Sequence, residues 1–103
     1  MNGTGKGGIR VEPGGGLVAN ANTLVSLSIR NVSGSSILQS VQYGSSSVPV
    51  HQNSFTLRIL AGIQQLTLTV IRPHPGTSEL LDSNGHLLAQ FDLTSASFQI
   101  RGI

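Results

Sequence analysis

Cysteine is absent from this chain of 103 residues. No disulfide can tie it, and no thiolate can hold a metal. Tryptophan is absent too, and the aromatics are one tyrosine and three phenylalanines. Sugars are commonly held on exposed aromatic rings, so a glycan site has little to build on here. Charge is equally scarce. Asp, Glu, Lys and Arg make up 10% of residues, against about 25% in an average domain. The six bases are Lys6, Arg10, Arg30, Arg58, Arg72 and Arg101, spread along the chain for a formal net charge of +2. A pI near 10.0 therefore reflects few acids, not a basic patch. Without clustered bases the phosphate contacts that drive nucleic-acid binding are missing. No window approaches the roughly 18 apolar residues of a membrane span. The opening MNGTGKGG lacks the apolar core of a signal peptide. If the parent is secreted, the chain is expected to be a mature segment or excised domain, with Met1 an expression start.

What remains is polarity carried by Ser, Thr, Asn, Gln and Gly. Such near-neutral surfaces are common among secreted, cell-surface and virion-type proteins, which sets the expected location. The length suits one domain, large enough to bury about 60–70% of its chain surface. Residues 1–8 read as a flexible Gly-rich lead-in, and 9–103 as a single folded domain. The GTGKGG run does not match the phosphate-loop spacing, and no apolar strand precedes it.

Apolar residues then recur at every second position. Val25, Leu27 and Ile29 alternate with Ser26, Ser28 and Arg30. Phe55, Leu57 and Ile59 alternate with Thr56 and Arg58. Leu66, Leu68 and Val70 alternate with Thr67 and Thr69, and Phe98 and Ile100 close the chain the same way. A period of two marks a strand with one buried face. Turn residues separate the runs: Pro13 to Gly16, Asn31 to Ser36, Gly44 to Ser47, Ala61-Gly62, Pro73 to Gly76 and Asn84-Gly85. No helix-period segment appears. The pattern predicts an all-β protein, an immunoglobulin-like antiparallel β-sandwich of seven to nine strands.

Asn84-Gly85 sits between the apolar stretches LLDS and HLLAQFDL. Both residues tolerate positive φ, so the spacing predicts a two-residue type I′ hairpin. Ser83 then faces His86, and Asp82 faces Leu87. Leu87, Ala89, Phe91 and Leu93 share the inward face, leaving Leu88, Gln90 and Asp92 outward.

No motif for chemistry stands out. His51, His74 and His86 form no HExxH or His-x-His pattern, and Glu12, Glu79, Asp82 and Asp92 are scattered. No GxSxG elbow exists. A triad of some Ser with His86 and Asp82 or Asp92 can be drawn in any Ser-rich chain, so only geometry would give it meaning. The expectation is no enzyme, no cofactor and no metal. Four apolar residues break the alternation outward: Leu24, Leu38, Ile71 and Leu88. Together they are the candidate interface for a protein partner, a neighbouring domain or a second copy. Tyr43, at a strand end, is the one candidate glycan platform.

The stretch Ile37 to Ile59 resembles the middle of a bacterial immunoglobulin-like domain of the IPT/TIG type. The Pro13-Gly14-Gly15 turn stands before the second strand. Val41-Gln42-Tyr43-Gly44 resembles that family's strand end, and Val48-Pro49-Val50 its short Val-rich strand. The likeness covers roughly residues 9–72. It departs in lacking the expected strand glycine and in adding a hairpin at 78–93 and a final strand. It implies a spacer or interaction module and carries no functional residues over. The sequence thus points to a non-catalytic accessory module of an extracellular or virion-type protein, binding through a sheet face. The alternative is a carbohydrate-binding module that reads glycan through polar loops.

Overall fold

The computed structural model describes residues 8–31, 37–71, 77–92 and 94–103. Within them the chain is all β, with ten strands in two packed sheets. The first sheet has six strands: β1 (Ile9–Val11), β2 (Leu17–Ala19), β4 (Leu38–Tyr43), β5 (Ser46–Val48), β7 (Gly62–Val70) and β10 (Ser95–Gly102). Their spatial order is β1-β2-β10-β7-β4-β5. The second sheet holds β3 (Leu24–Asn31), β6 (Ser54–Arg58), β8 (Ser78–Leu81) and β9 (Leu87–Phe91), in the order β6-β3-β8-β9.

Ten strands exceed the seven to nine predicted, because the short β1 and β5 hairpin arms were not legible as separate elements. Pairing is antiparallel except once: β2 runs parallel to β10, with Leu17 to Ala19 opposite Ile100 to Gly102. The predicted lead-in falls on residues 1–7, apart from Gly8, and lies outside the described residues. So do most of the predicted turns at 31–36 and 73–76, with His74, and the inward position given to Leu93.

The alternation holds where the strands are regular. Val25, Leu27 and Ile29 on β3 meet Phe55 and Leu57 on β6, and face Leu66, Leu68 and Val70 on β7 in one core cluster. Burying each such side chain contributes about 1.5–3 kcal/mol. The ends are tightly fitted. A Cβ on Gly102 would stand 2.0 Å from the Leu60 carbonyl oxygen, so only glycine lets β10 pass that turn. Leu60 is held in turn by the Tyr43 hydroxyl, which accepts the Leu60 N–H at 3.0 Å.

The alternation fails at two β-bulges. On β4 the register jumps between Leu38 and Ser40, so Gln39 is extra and Leu38 turns inward. Asn53 Oδ1 steadies the kink by accepting the Ile37 and Leu38 N–H groups at 2.7 and 3.0 Å. On the β8–β9 hairpin, Leu80 faces Ala89 but Leu81 faces Leu87. Leu88 is the extra residue and swings into the core, while Leu87 points out. One added residue shifts every later side chain to the other face.

The hairpin loop corrects the type I′ expectation. Only Gly85 has positive φ there, at 83°, whereas Ser83 and Asn84 do not. Gly85 N–H donates to the Asp82 carbonyl at 3.0 Å, and Asp82 N–H to the His86 carbonyl at 3.0 Å. This is a three-residue loop, a tight turn followed by a left-handed glycine. Asp82 therefore faces His86, one residue earlier than predicted. Asp82 selects this loop, since its Oδ1 accepts the Asn84 and His86 N–H groups, both at 2.9 Å.

Candidate functional site: a lateral cleft

The four predicted interface residues do not form one patch. Leu38 is 7% exposed and Leu88 9%, both drawn in by the bulges. Leu24 and Ile71 are exposed, at 45% and 47%. They sit apart, however. Leu24 opens β3 beside Arg58, at the end where Gly62 begins β7. Ile71 follows Val70 at the far end of that nine-residue strand, about 30 Å away along the chain direction. Tyr43 is also corrected. It is 5% exposed, shares the inward face with Val41, and spends its hydroxyl on Leu60. It cannot serve as a platform for a sugar. Its two-residue spacing from Val41 already carried that signal.

Among the described residues a cleft of about 410 Å³ opens on one side of the sandwich. It lies where the β9 edge of one sheet comes alongside β10 and the β1–β2 arm of the other. Its apolar lining is Val11, Leu17, Ile63, Leu88, Ala89 and Phe98, and its polar lining includes Glu12, Ser97, Gln99 and Arg101. The turn from Gly14 to Gly16 forms one wall. Phe98 is braced from behind by Phe91, edge to face, with centroids 6.1 Å apart and planes at 63°. Such a pair adds about 0.5–1.5 kcal/mol beyond burial.

The topology leaves this cleft with open strand edges. β2 reaches only Ile100 to Gly102 of β10, so among the described residues Ser95 to Phe98 have β7 on one side and no paired strand on the other. A Cβ on Gly16 would lie 3.8 Å from the Gln99 carbonyl oxygen and 3.9 Å from Glu12 Oε1. β9 is likewise the last strand of its sheet. Thus two runs of backbone border an apolar floor.

Glu12 and Arg101 pair across the rim through both Arg101 Nε and Nη2. The Arg101 hydrogen bond holds the Glu12 carboxyl below its usual range, with the charges of Arg101 and Arg10 adding to it against partial burial. Arg101 is raised by the same contact. On the other sheet, Glu79 is lowered by its bond to Arg30 and then by Gln90, again against burial. Those bonds measure 2.7 Å from Arg30 Nη2 and 3.2 Å from Gln90 Nε2. Both carboxylates are thus committed to structure.

Of the residues considered for hydrolysis, His86 Nδ1 lies 3.5 Å from Asp82 Oδ2. No serine hydroxyl bonds that imidazole among the described residues, so no triad is assembled there. Among the same residues no three His, Cys, Asp or Glu side chains gather as metal ligands. No helix there is long and apolar enough to cross a membrane.

A second feature is the outer face of the six-stranded sheet. Gln65 pairs with Gln99, Thr67 with Ser97, and Thr69 with Ser95, while Gln42 and Ser40 flank them on β4. This gives an uncharged carpet of hydroxyls and amides. Thr67 and Ser97 bond each other at 3.3 Å. Sequence alternation located these side chains, but the long-range register that makes them one surface was not readable from it. Compared with protein-family models, with curated proteins and with solved structures, the chain gives no match.

Proposed function

We propose that this chain is a non-catalytic interaction module of an extracellular or virion-type protein. It captures an extended segment of a partner protein by strand addition in the lateral cleft. One observation carries the reading: among the described residues Ser95 to Phe98 of β10 offer an unpaired backbone edge beside the apolar floor of Leu17, Leu88 and Phe98. Free strand edges are templates for an added strand, with pockets selecting every second side chain. The partner segment would carry apolar residues at alternate positions, facing Phe98 and Leu88, and polar ones between them. The immunoglobulin-like accessory role implied by the IPT/TIG resemblance agrees with this use.

Ala89→Arg tests the idea by placing a long charged side chain in the cleft. A displayed library of extended peptides should yield binders to the native chain that lose at least tenfold in affinity for Ala89→Arg. Their amide shift changes should map to β9 and β10. Binders that tolerate the arginine, or that map elsewhere, would refute strand addition.

The uncharged carpet supports a second reading, glycan recognition through Gln and Ser/Thr hydrogen bonds. Here Thr67→Arg would abolish binding on a polysaccharide panel while leaving peptide capture unchanged. A panel with no hit excludes it.

A further inference from the structure

The Asn84-Gly85 step has a chemistry that neither the cleft nor the sheets use. Both residues are exposed in the β8–β9 loop, and no hydrogen bond holds the Asn84 side-chain amide. Gly85 offers no Cβ to shield its nitrogen, and nothing lies within 4 Å of where one would stand. The loop nevertheless restrains the step. Gly85 N–H is engaged by the Asp82 carbonyl at 3.0 Å, and Asn84 N–H by Asp82 Oδ1 at 2.9 Å.

We infer that Asn84 is a site of spontaneous deamidation, and that Asp82 sets its rate by holding the loop shut. In the open loop, the Gly85 nitrogen gives up its proton to water and attacks Asn84 Cγ. The new N–Cγ bond closes a five-membered imide, and the Cγ–Nδ2 bond breaks to release ammonia. Water then opens the ring. Attack at Cγ gives aspartate on the normal backbone. Attack at the main-chain carbonyl gives isoaspartate, whose backbone runs through Cβ and Cγ. The balance is one water in and one ammonia out, with no oxidant or reductant. In the folded loop the attacking N–H is occupied and the Asn84 backbone is held by Asp82 Oδ1, so reaction waits on opening. Either product adds a carboxylate beside Asp82. Isoaspartate also adds one backbone carbon to a loop whose length fixes the β9 register.

The test incubates the full chain at neutral pH and body temperature, with tryptic mass mapping over time. Asn2-Gly3, the other Asn-Gly step, is the reference within each sample. Aspartate and isoaspartate are expected at position 84. Asp82→Ala should accelerate their formation by at least about fivefold, as expected when the two hydrogen bonds accepted by Oδ1 are lost from the closed loop. Asp82→Asn, which keeps the acceptor oxygen, should stay near the native rate. Circular dichroism confirms that each variant is folded. If Asp82→Ala does not fold, urea below the unfolding midpoint replaces it: the native Asn84 rate should climb relative to Asn2. An amide at 84 that persists while Asn2 converts, or a rate indifferent to both Asp82→Ala and urea, overturns the inference.

Discussion

Ser78 brings a hydroxyl into the core with no partner for it: the residue is fully buried, and its Oγ makes no hydrogen bond. An unmet buried hydroxyl costs desolvation without return. Ser78→Ala should therefore be neutral or raise stability by up to about 1 kcal/mol, read from the urea midpoint. A loss above that would mean the oxygen is bonded after all. Tyr43 is the opposite case. Removing its hydroxyl leaves the Leu60 N–H without an acceptor, so Tyr43→Phe should cost about 1–3 kcal/mol. That variant also separates the structural role from a glycan role, since only stability should change. Ile71, exposed at the end of β7, should accept Ile71→Lys within about 0.5 kcal/mol. Cooperative unfolding at a much lower midpoint would place it in the core.

At the scale of elements, the two bulges decide which leucines are inside. Simple alternation places Leu87 in and Leu88 out, and the β8–β9 register reverses them. The distinction is measurable. Leu88→Ala should cost about 2–3 kcal/mol as a buried truncation, and Leu87→Ala less than about 1 kcal/mol. The reverse order of the two midpoints would restore the unbulged hairpin. A bulge needs one extra residue, and no residue type marks it uniquely. That is why Leu38 and Leu88 were both misassigned, while regular β3, β6 and the buried half of β7 were legible. The hairpin followed the same logic. Asn-Gly signalled a turn at the right place, but Asp82 chose its length by capping two N–H groups.

For the whole molecule, two ion pairs bind distant parts of the chain. Glu12–Arg101 ties the first loop to the last strand, and Glu79–Arg30 ties β8 to β3. Both carboxylates titrate below their ordinary value of 4.5. A depressed folded pKa contributes stability that is complete above the ordinary value and is lost as pH falls through the lowered one. Melting temperature should hold from neutral pH down to that range and then drop. The double variant Glu12→Gln with Glu79→Gln should show a shallower acid decline. An unchanged acid limb would show that neither pair couples to folding. Exposure of both pairs keeps the effect small and weaker in high salt.

The sequence by itself determined the all-β class, the inward faces of the regular strands, the turn positions that fall among the described residues and the scarcity of charge. Those follow from local rules: a period of two, positive-φ residues and composition. It did not determine which open edge meets which, nor where the lateral cleft lies. The cleft brings Leu17 of β2 to Leu88 of β9 and Phe98 of β10, some seventy residues and more along the chain. Only the parallel β2–β10 pairing, which stops at Ile100, leaves it open. Pairing partners and bulges are set by the packing of two sheets against each other, a long-range balance that no local pattern encodes.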